Sequence, residues 1–292
     1  VTSNPLADAR VGIVGTGAMA ESMLAGLLRE GLVQPAQVTC SHPRAERRRA
    51  LQETHGVHTT ESNAEAAHGA DLVLLAVKPQ VLPEVTPELR PELTPAQLVV
   101  SIVAGASTSS LGEALDHPAI VRAMPNTPAQ IGQGVTVWFA TESVTDEGKA
   151  RTRGMLSALG REFEVHNERQ VAMATAVSGT GPSYIFLFIE ALVDAAVHVG
   201  FPRHLARELV LDTMQGSAAF ALQSGLHIAE LRDMVTSPGG TTAAAMYELE
   251  RGRLRTVVSD AVWAAFERTL ELEAQLEGRG DGGGPRPPRR TG

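Results

Sequence analysis

The first half of the chain alternates short apolar runs with stretches whose apolar positions recur at helical spacing. Val11–Val14 is a continuous apolar run, followed by glycines at 15 and 17 and by a helical stretch, Met19–Arg29. Gln37–Cys40 reads as the second strand and Arg44–Thr54 as its helix. Leu72–Val77 and Leu98–Val103 carry aliphatic residues without alternation, the pattern of strands covered on both faces. The first stops at Lys78-Pro79 and the second at Ala104-Gly105. Ile120–Met124 and Val135–Ala140 supply two more strands, and Phe163–Val165 an edge strand. Strands and helices in this alternation predict an α/β architecture with a doubly wound sheet.

Past residue 165 the texture changes. Pro182–Val199, Pro202–Ser224, Thr241–Arg251 and Leu254–Leu276 have apolar residues at helical spacing, and strand patterns vanish. Gly200, Gly225 and Gly252 stand where helix ends are expected. Residues 278–292 are glycine, proline and arginine with almost nothing apolar, the composition of a disordered tail. The expected division is therefore 1–165, an all-helical 166–277, and the tail. The helical faces at Ala191–Val197 and Leu205–Leu222 are too apolar for a lone surface domain, which predicts an intertwined homodimer.

Composition narrows the classes. Of 292 residues 43% are hydrophobic and 20% charged, ordinary for a chain that buries a core. A net charge of −8 argues against nucleic acid as a partner, which requires a basic footprint. The run beginning at Ile185–Ile189 is cut by Glu190 and Asp194, which reads as too short to span a bilayer, so no membrane partner is expected. Glu190 and Asp194 themselves read as interface or capping acids. The N-terminus has neither the basic start nor the apolar core of a signal peptide. Cys40 is the single cysteine, which excludes an intrachain disulfide and points to a reducing, cytoplasmic location. The nine histidines show no metal-ligand spacing, and no metal is expected.

The first chemistry-bearing motif is Gly15-Thr16-Gly17-Ala18-Met19-Ala20 between a strand and a helix. It fits the Gly-x-Gly-x-x-Gly/Ala fingerprint of Rossmann-type dinucleotide domains, where unpaired N–H groups and the helix dipole receive a pyrophosphate. Gly15, Thr16, Gly17, Ala18 and Met19 are thus cofactor-binding candidates. At the end of the second strand an NAD enzyme commonly carries an acid for the ribose 2′-hydroxyl. Here Ser41-His42-Pro43-Arg44 has none before Glu46, and Ser41 with Arg44 suits a 2′-phosphate. The expected cofactor is NADPH, with NADH weaker.

Further pieces follow in order: Asn63, Ala76-Val77-Lys78-Pro79-Gln80, Ser101-Ile102-Val103-Ala104-Gly105, Arg122 to Pro128 with Asn126 at its centre, Ser178 to Tyr184 opening the long helix, and Ser237-Pro238-Gly239-Gly240-Thr241-Thr242. Together, from Val11 to Leu276, these resemble the pyrroline-5-carboxylate reductases. That resemblance implies hydride transfer from NADPH to the imine carbon of Δ1-pyrroline-5-carboxylate, giving L-proline in the last step of proline biosynthesis. It implies cofactor contacts at Asn63, Ala76, Val77, Lys78, Pro79, Ala104 and Gly105. Substrate contacts are implied at Gly239, Gly240, Thr241, Thr242, Ser178 and Asn126, with Thr242 beside the imine nitrogen as the catalytic candidate. It also implies a homodimer with sites completed across the interface, and assemblies of dimers up to a decamer. Met234 and Thr180 depart from the family pattern, and Met234 is given no role.

Local chemistry supports this independently. The two glycines free the backbone ahead of Thr241, so that N–H groups at a helix opening can receive a carboxylate. A cyclic imine protonates readily, so a strong general acid is not required. The alternatives are a β-hydroxyacid-type reductase and a non-catalytic NADPH-binding regulator. The first relies on a lysine in its second domain, whereas this chain has only Lys78 and Lys149. The second should have lost the Gly239–Thr242 nest.

Overall fold

The structure, a computed structural model, describes residues 4–278. The expected disordered tail lies outside the described residues apart from Gly278. By internal contacts the chain forms two compact units: one runs to Thr180 and resumes at Ala265, the other is Gly181–Ala264. The division at 165 expected from texture thus differs from the structural one. The first turns after 165 and the end of the last helix are helical in pattern, yet belong with the sheet.

The sheet unit holds eight strands: β1 Val11–Val14, β2 Val38–Ser41, β3 His58–Thr60, β4 Leu72–Leu75, β5 Leu98–Ser101, β6 Ile120–Met124, β7 Gly134–Ala140 and β8 Gly160–Glu164. Their spatial order is β3-β2-β1-β4-β5-β6-β7-β8. The first six are parallel, β7 runs antiparallel to β6, and β8 parallels β7. The order reverses between β1 and β4, and such a switch point opens a crevice at the carboxyl ends of the strands. β1, β4, β5 and β6 are buried throughout, which is why their sequences lack alternation.

Helices α1 Ala18–Arg29, α2 Ala45–His55, α3 Asn63–Ala67, α4 Leu82–Leu89, α5 Thr108–Leu115 and α6 Asp146–Ser157 join the strands. One core layer packs Met23, Leu24, Leu27, Leu51, Met155 and Leu156 on one face of the sheet. The other packs Ala66, Leu82, Val85, Leu89, Leu111 and Leu115 on the opposite face. β3 and the four helices α3 to α6 escaped the sequence reading. β3 has three residues, and α4 carries Pro83 and Pro87, which a helical pattern search treats as breaks.

α7 Arg169–Ala174 is followed by a π-helical turn, Thr175–Gly179, and then by α8 Gly181–Val199. Ser178 therefore sits inside a widened helical turn, nine residues after α7 has begun at residue 169, and does not open the long helix as expected. The remaining helices are α9 Arg203–Ser224, α10 Ile228–Met234, α11 Thr241–Arg251 and α12 Leu254–Leu276. In the helical unit Val193, Ala206 and Val210 form a small core with Ile189, Ala196, Val197 and Met214 around it. Most other large apolar residues of this unit are exposed, including Phe186, Leu187, Leu222, Ile228 and Val257. Asp194 pairs with Arg203 at 2.9 Å, an exposed link between α8 and α9.

Candidate active site

The glycines after β1 have distinct physical reasons. Gly15 has φ +84°, and a Cβ there would meet Val77 Cγ1 at 2.5 Å. Gly17 is the N-cap of α1, with no side chain capping the helix, and a Cβ on it would meet nothing within 4 Å. No neighbouring atom thus requires glycine at 17, whereas a ligand lying against the backbone would. Gly17 and Ala18 are exposed and Met19 half-buried, so the first-turn N–H groups of α1 face outward. Thr16 is different. It is buried, and both its N–H and its hydroxyl are donated to Ser41 O, at 3.1 and 3.2 Å.

Ser41 ends β2 and is also buried. Its hydroxyl donates to Asn63 Oδ1 at 2.7 Å and accepts from Gly15 N–H at 3.3 Å. In this structure Ser41 enters the site as a support of the Gly15 turn. A direct bond to a 2′-phosphate would require the hydroxyl to exchange Asn63 for the phosphate. Arg44, exposed at the N-cap of α2, has no ion pair among the described residues. Arg47 donates to Thr16 O at 3.4 Å and pairs with Glu21 at 2.6 Å; Arg48 binds the carbonyls of His42 and Pro43 and Glu61. These cations act on His42, whose pKa is lowered chiefly by burial and then by Arg44 and Arg47. The ring is held toward its neutral form beside a surface that favours an anion.

Along the crevice, Ala76 N–H donates to Val14 O at 2.9 Å, which ties the β4 loop to β1. Ala76, Val77 and Pro79 are half-buried and Lys78 is exposed, so these predicted positions lie at the strand ends beside the Gly15 turn. Ala104 is half-buried, but Gly105 is buried. Gly105 has φ +77°, and a Cβ on it would meet Leu272 Cβ at 3.0 Å, so close approach of α12 already explains the glycine expected to serve the cofactor.

Asn126 is buried after β6, and its side chain is spent twice. Nδ2 donates to Ser178 O at 3.0 Å and Oδ1 accepts from Val135 N–H at 2.9 Å. The Ser178 hydroxyl donates to Ala174 O at 3.0 Å. The two residues expected to touch substrate are brought together, but with each other and with the main chain as partners. Asn126 here fixes the π-helical turn, a device that recurs at functional sites.

In the helical unit, Gly239 has φ +73° and Gly240 is the N-cap of α11, again with no side-chain cap. A Cβ on Gly240 would lie 2.3 Å from Ser237 Oγ, while Gly239 meets nothing. Gly240 N–H is spent on Ser237 O at 3.1 Å, whereas Thr241, exposed, and Thr242, half-buried, begin the first turn of α11, whose N–H groups have no partner within the helix.

The sequence reading missed a buried ionic cluster. Arg122, in the middle of β6 and 2% exposed, pairs with Glu168 at 3.1 Å and with Glu273 at 2.5 Å. Glu168 also accepts the Thr108 N–H and hydroxyl, each at 2.7 Å. Only the apolar neighbours of Arg122, which mark a central strand, could have shown that its charge must be matched inside. Cys40 is buried, which pushes its thiol up to about 11 and makes it inert. Among the described residues no three His, Cys, Asp or Glu side chains gather as a metal site. A shallow concavity of about 400 Å³ is lined by Arg90, Leu93, Pro95, Asp116 and Pro118, at the opposite ends of the strands from the glycine loop.

Two families of known proteins match separate parts of the chain. A family described as pyrroline-5-carboxylate reductase dimerisation matches residues 168–272, and one described as NADP oxidoreductase, coenzyme F420-dependent, matches residues 10–105. The pyrroline-5-carboxylate reductase of Synechocystis sp. is 41% identical over 263 residues, covering 90% of this chain and 98% of that protein. The pyrroline carboxylate reductase of Plasmodium falciparum, solved with NADP bound, superposes with a TM-score of 0.85 at 30% identity, covering 92% of this chain and 99% of that one. The pyrroline-5-carboxylate reductase of Coxiella burnetii gives 0.83 at 37% identity, covering 90% and 98%.

Proposed function

The chain belongs to the pyrroline-5-carboxylate reductase family, and from that premise we propose how its own residues carry the reaction. It is an oxidoreductase that reduces the imine of Δ1-pyrroline-5-carboxylate with a nicotinamide cofactor. The observation that carries the residue-level reading is the pair of helix openings without a side-chain cap, at Gly17 and at Gly240. Each presents main-chain N–H groups and the positive end of a helix dipole, the arrangement that receives an anion.

The sheet unit fits the cofactor on its own features: the empty space over Gly17, the outward first turn of α1 and the unpaired Arg44. Gly15, Thr16 and Gly17 shape the turn and the N–H groups of Ala18 and Met19 hold the diphosphate, with Asn63, Ala76 to Pro79 and Ala104 lining the crevice. Arg44 holds the 2′-phosphate that selects NADPH over NADH, with Ser41 joining it if its hydroxyl is released. When bound, the cofactor supplies the hydride. The chain supplies position and charge. Thr241 and Thr242 N–H groups, set by the Gly239-Gly240 turn, hold the substrate carboxylate, and the Thr242 hydroxyl bonds the imine nitrogen and keeps its proton in place. Orientation in a fixed geometry then replaces a strong acid. Asn126 and Ser178 act through the turn they fix. The product is L-proline, and the place of the reaction is the end of proline biosynthesis, in the cytoplasm.

The exposed apolar helices of the helical unit are covered by a second copy of the chain, which makes the active form a homodimer or an assembly of dimers. A further element of proposal is the division of labour: residues 1–165 serve the cofactor, and 166–277 serve dimerisation and substrate. The test is loss of reduced-nicotinamide absorbance on adding Δ1-pyrroline-5-carboxylate to enzyme and NADPH. Turnover is expected, and Thr242→Val should lower kcat about ten- to hundredfold with NADPH binding kept. Normal NADPH binding without turnover in the unaltered chain would overturn the enzymatic reading.

A further inference from the structure

The hydrogen bonds behind the phosphate loop run in one direction and end on a carboxylate. Glu88, exposed on α4, accepts the Asn63 Nδ2 amino group at 2.8 Å. Asn63 Oδ1 accepts the Ser41 hydroxyl at 2.7 Å, and Ser41 Oγ accepts the Gly15 N–H at 3.3 Å. A carboxylate only accepts, whereas an amide carries a donor end and an acceptor end. Glu88 therefore selects the Asn63 orientation that turns nitrogen to itself and oxygen to Ser41. That oxygen claims the one proton Ser41 has to give. While Glu88 holds Asn63, Ser41 cannot donate to an anion. No cation pairs with Glu88 among the described residues, so its charge also acts unneutralised next to the end of β2.

We infer that Glu88 is a specificity-determining residue that weakens recognition of a 2′-phosphate, and so sets the NADPH-to-NADH preference below what Arg44 and Ser41 would give without it. This rests on the reading of the β2 end as the site of the 2′-phosphate. Two effects act in the same direction. Like charge opposes the phosphate, and the fixed amide orientation withholds the Ser41 proton. Neither touches NADH, whose ribose carries a hydroxyl at that position. Glu88→Gln removes the charge and lets Asn63 turn, because a glutamine amide can meet either end of the asparagine amide. The side chain is exposed, so the core is left as it is.

The experiment is fluorescence titration of the full-length protein with NADPH and with NADH, for the unaltered chain, Glu88→Gln and Glu88→Ala. Both variants should tighten NADPH about two- to fivefold, the scale of an exposed charge interaction. NADH should move less than about twofold, within the same scale. An unchanged ratio, or equal weakening of both dinucleotides as expected of a merely supporting side chain, overturns this inference and leaves the cofactor reading standing. An unaltered chain that binds neither dinucleotide overturns the cofactor reading and this inference with it.

Discussion

Two glycines around the first turn separate what the backbone needs from what a ligand needs. A Cβ at Gly12 would fall 2.1 Å from Ala66 O, because α3 crosses β1 at that point. Gly12→Ala should therefore destabilise the fold by about 1–3 kcal/mol, the cost of overpacking, seen as a lower midpoint in chemical denaturation. Gly17→Ala meets no protein atom, so the midpoint should stay within error while dinucleotide affinity falls. A loss of stability at Gly17 matching that at Gly12 would refute a ligand-facing role. The fingerprint was legible in the sequence because its physics is local: a turn, a close approach and a helix start lie within six residues. Gly105 was less legible. Its partner Leu272 is far along the chain, so a glycine demanded by a crossing helix looked like one demanded by a cofactor.

At the scale of elements, buried charge decides which segments belong together. Arg122 lies within β6, while Glu168 precedes α7 and Glu273 lies near the end of α12; the sequence separations are 46 and 151 residues. Helical pattern assigned α7 and α12 to the later part of the chain, but the ion pairs and the contact of Leu272 with Gly105 hold their inner ends within the sheet unit. Periodicity reports which face of a helix is apolar and not what covers it, which is why texture placed the boundary at 165. Removing the cation leaves two carboxylates of low exposure without their partner. Arg122→Met should cost about 3–5 kcal/mol, as for other buried pairs broken on one side. The triple variant that adds Glu168→Gln and Glu273→Gln to Arg122→Met should recover part of that loss. Additive losses in equilibrium unfolding would show that the three side chains do not act as one cluster.

Across the whole molecule, exposed apolar surface is concentrated in the helical unit, and its explanation bears on partner and environment alike. By length and composition the helical run Arg169–Val199 could cross a bilayer, contrary to the expectation that the apolar run is too short. Its placement argues otherwise. Residues up to Thr180 belong to the sheet unit, where Val171, Ala172 and Ala176 are buried, leaving the 19 residues of α8 with Glu190 and Asp194 among them. A span of about 20 apolar residues is needed to cross hydrocarbon, and carboxylates within it are costly. The proposed second copy would cover Phe186, Leu187 and their neighbours without that cost, and residues 168–272 match a dimerisation family. Multi-angle light scattering at micromolar concentration should give a dimer or a multiple of one. Phe186→Asp with Leu187→Asp should shift the mass toward the monomer and lower turnover in parallel, the outcome required by the proposal that each copy completes its partner's site. A monomeric unaltered chain with full activity would overturn the dimer. Partition of the unaltered chain into neutral lipid vesicles would assign the apolar face to a membrane instead.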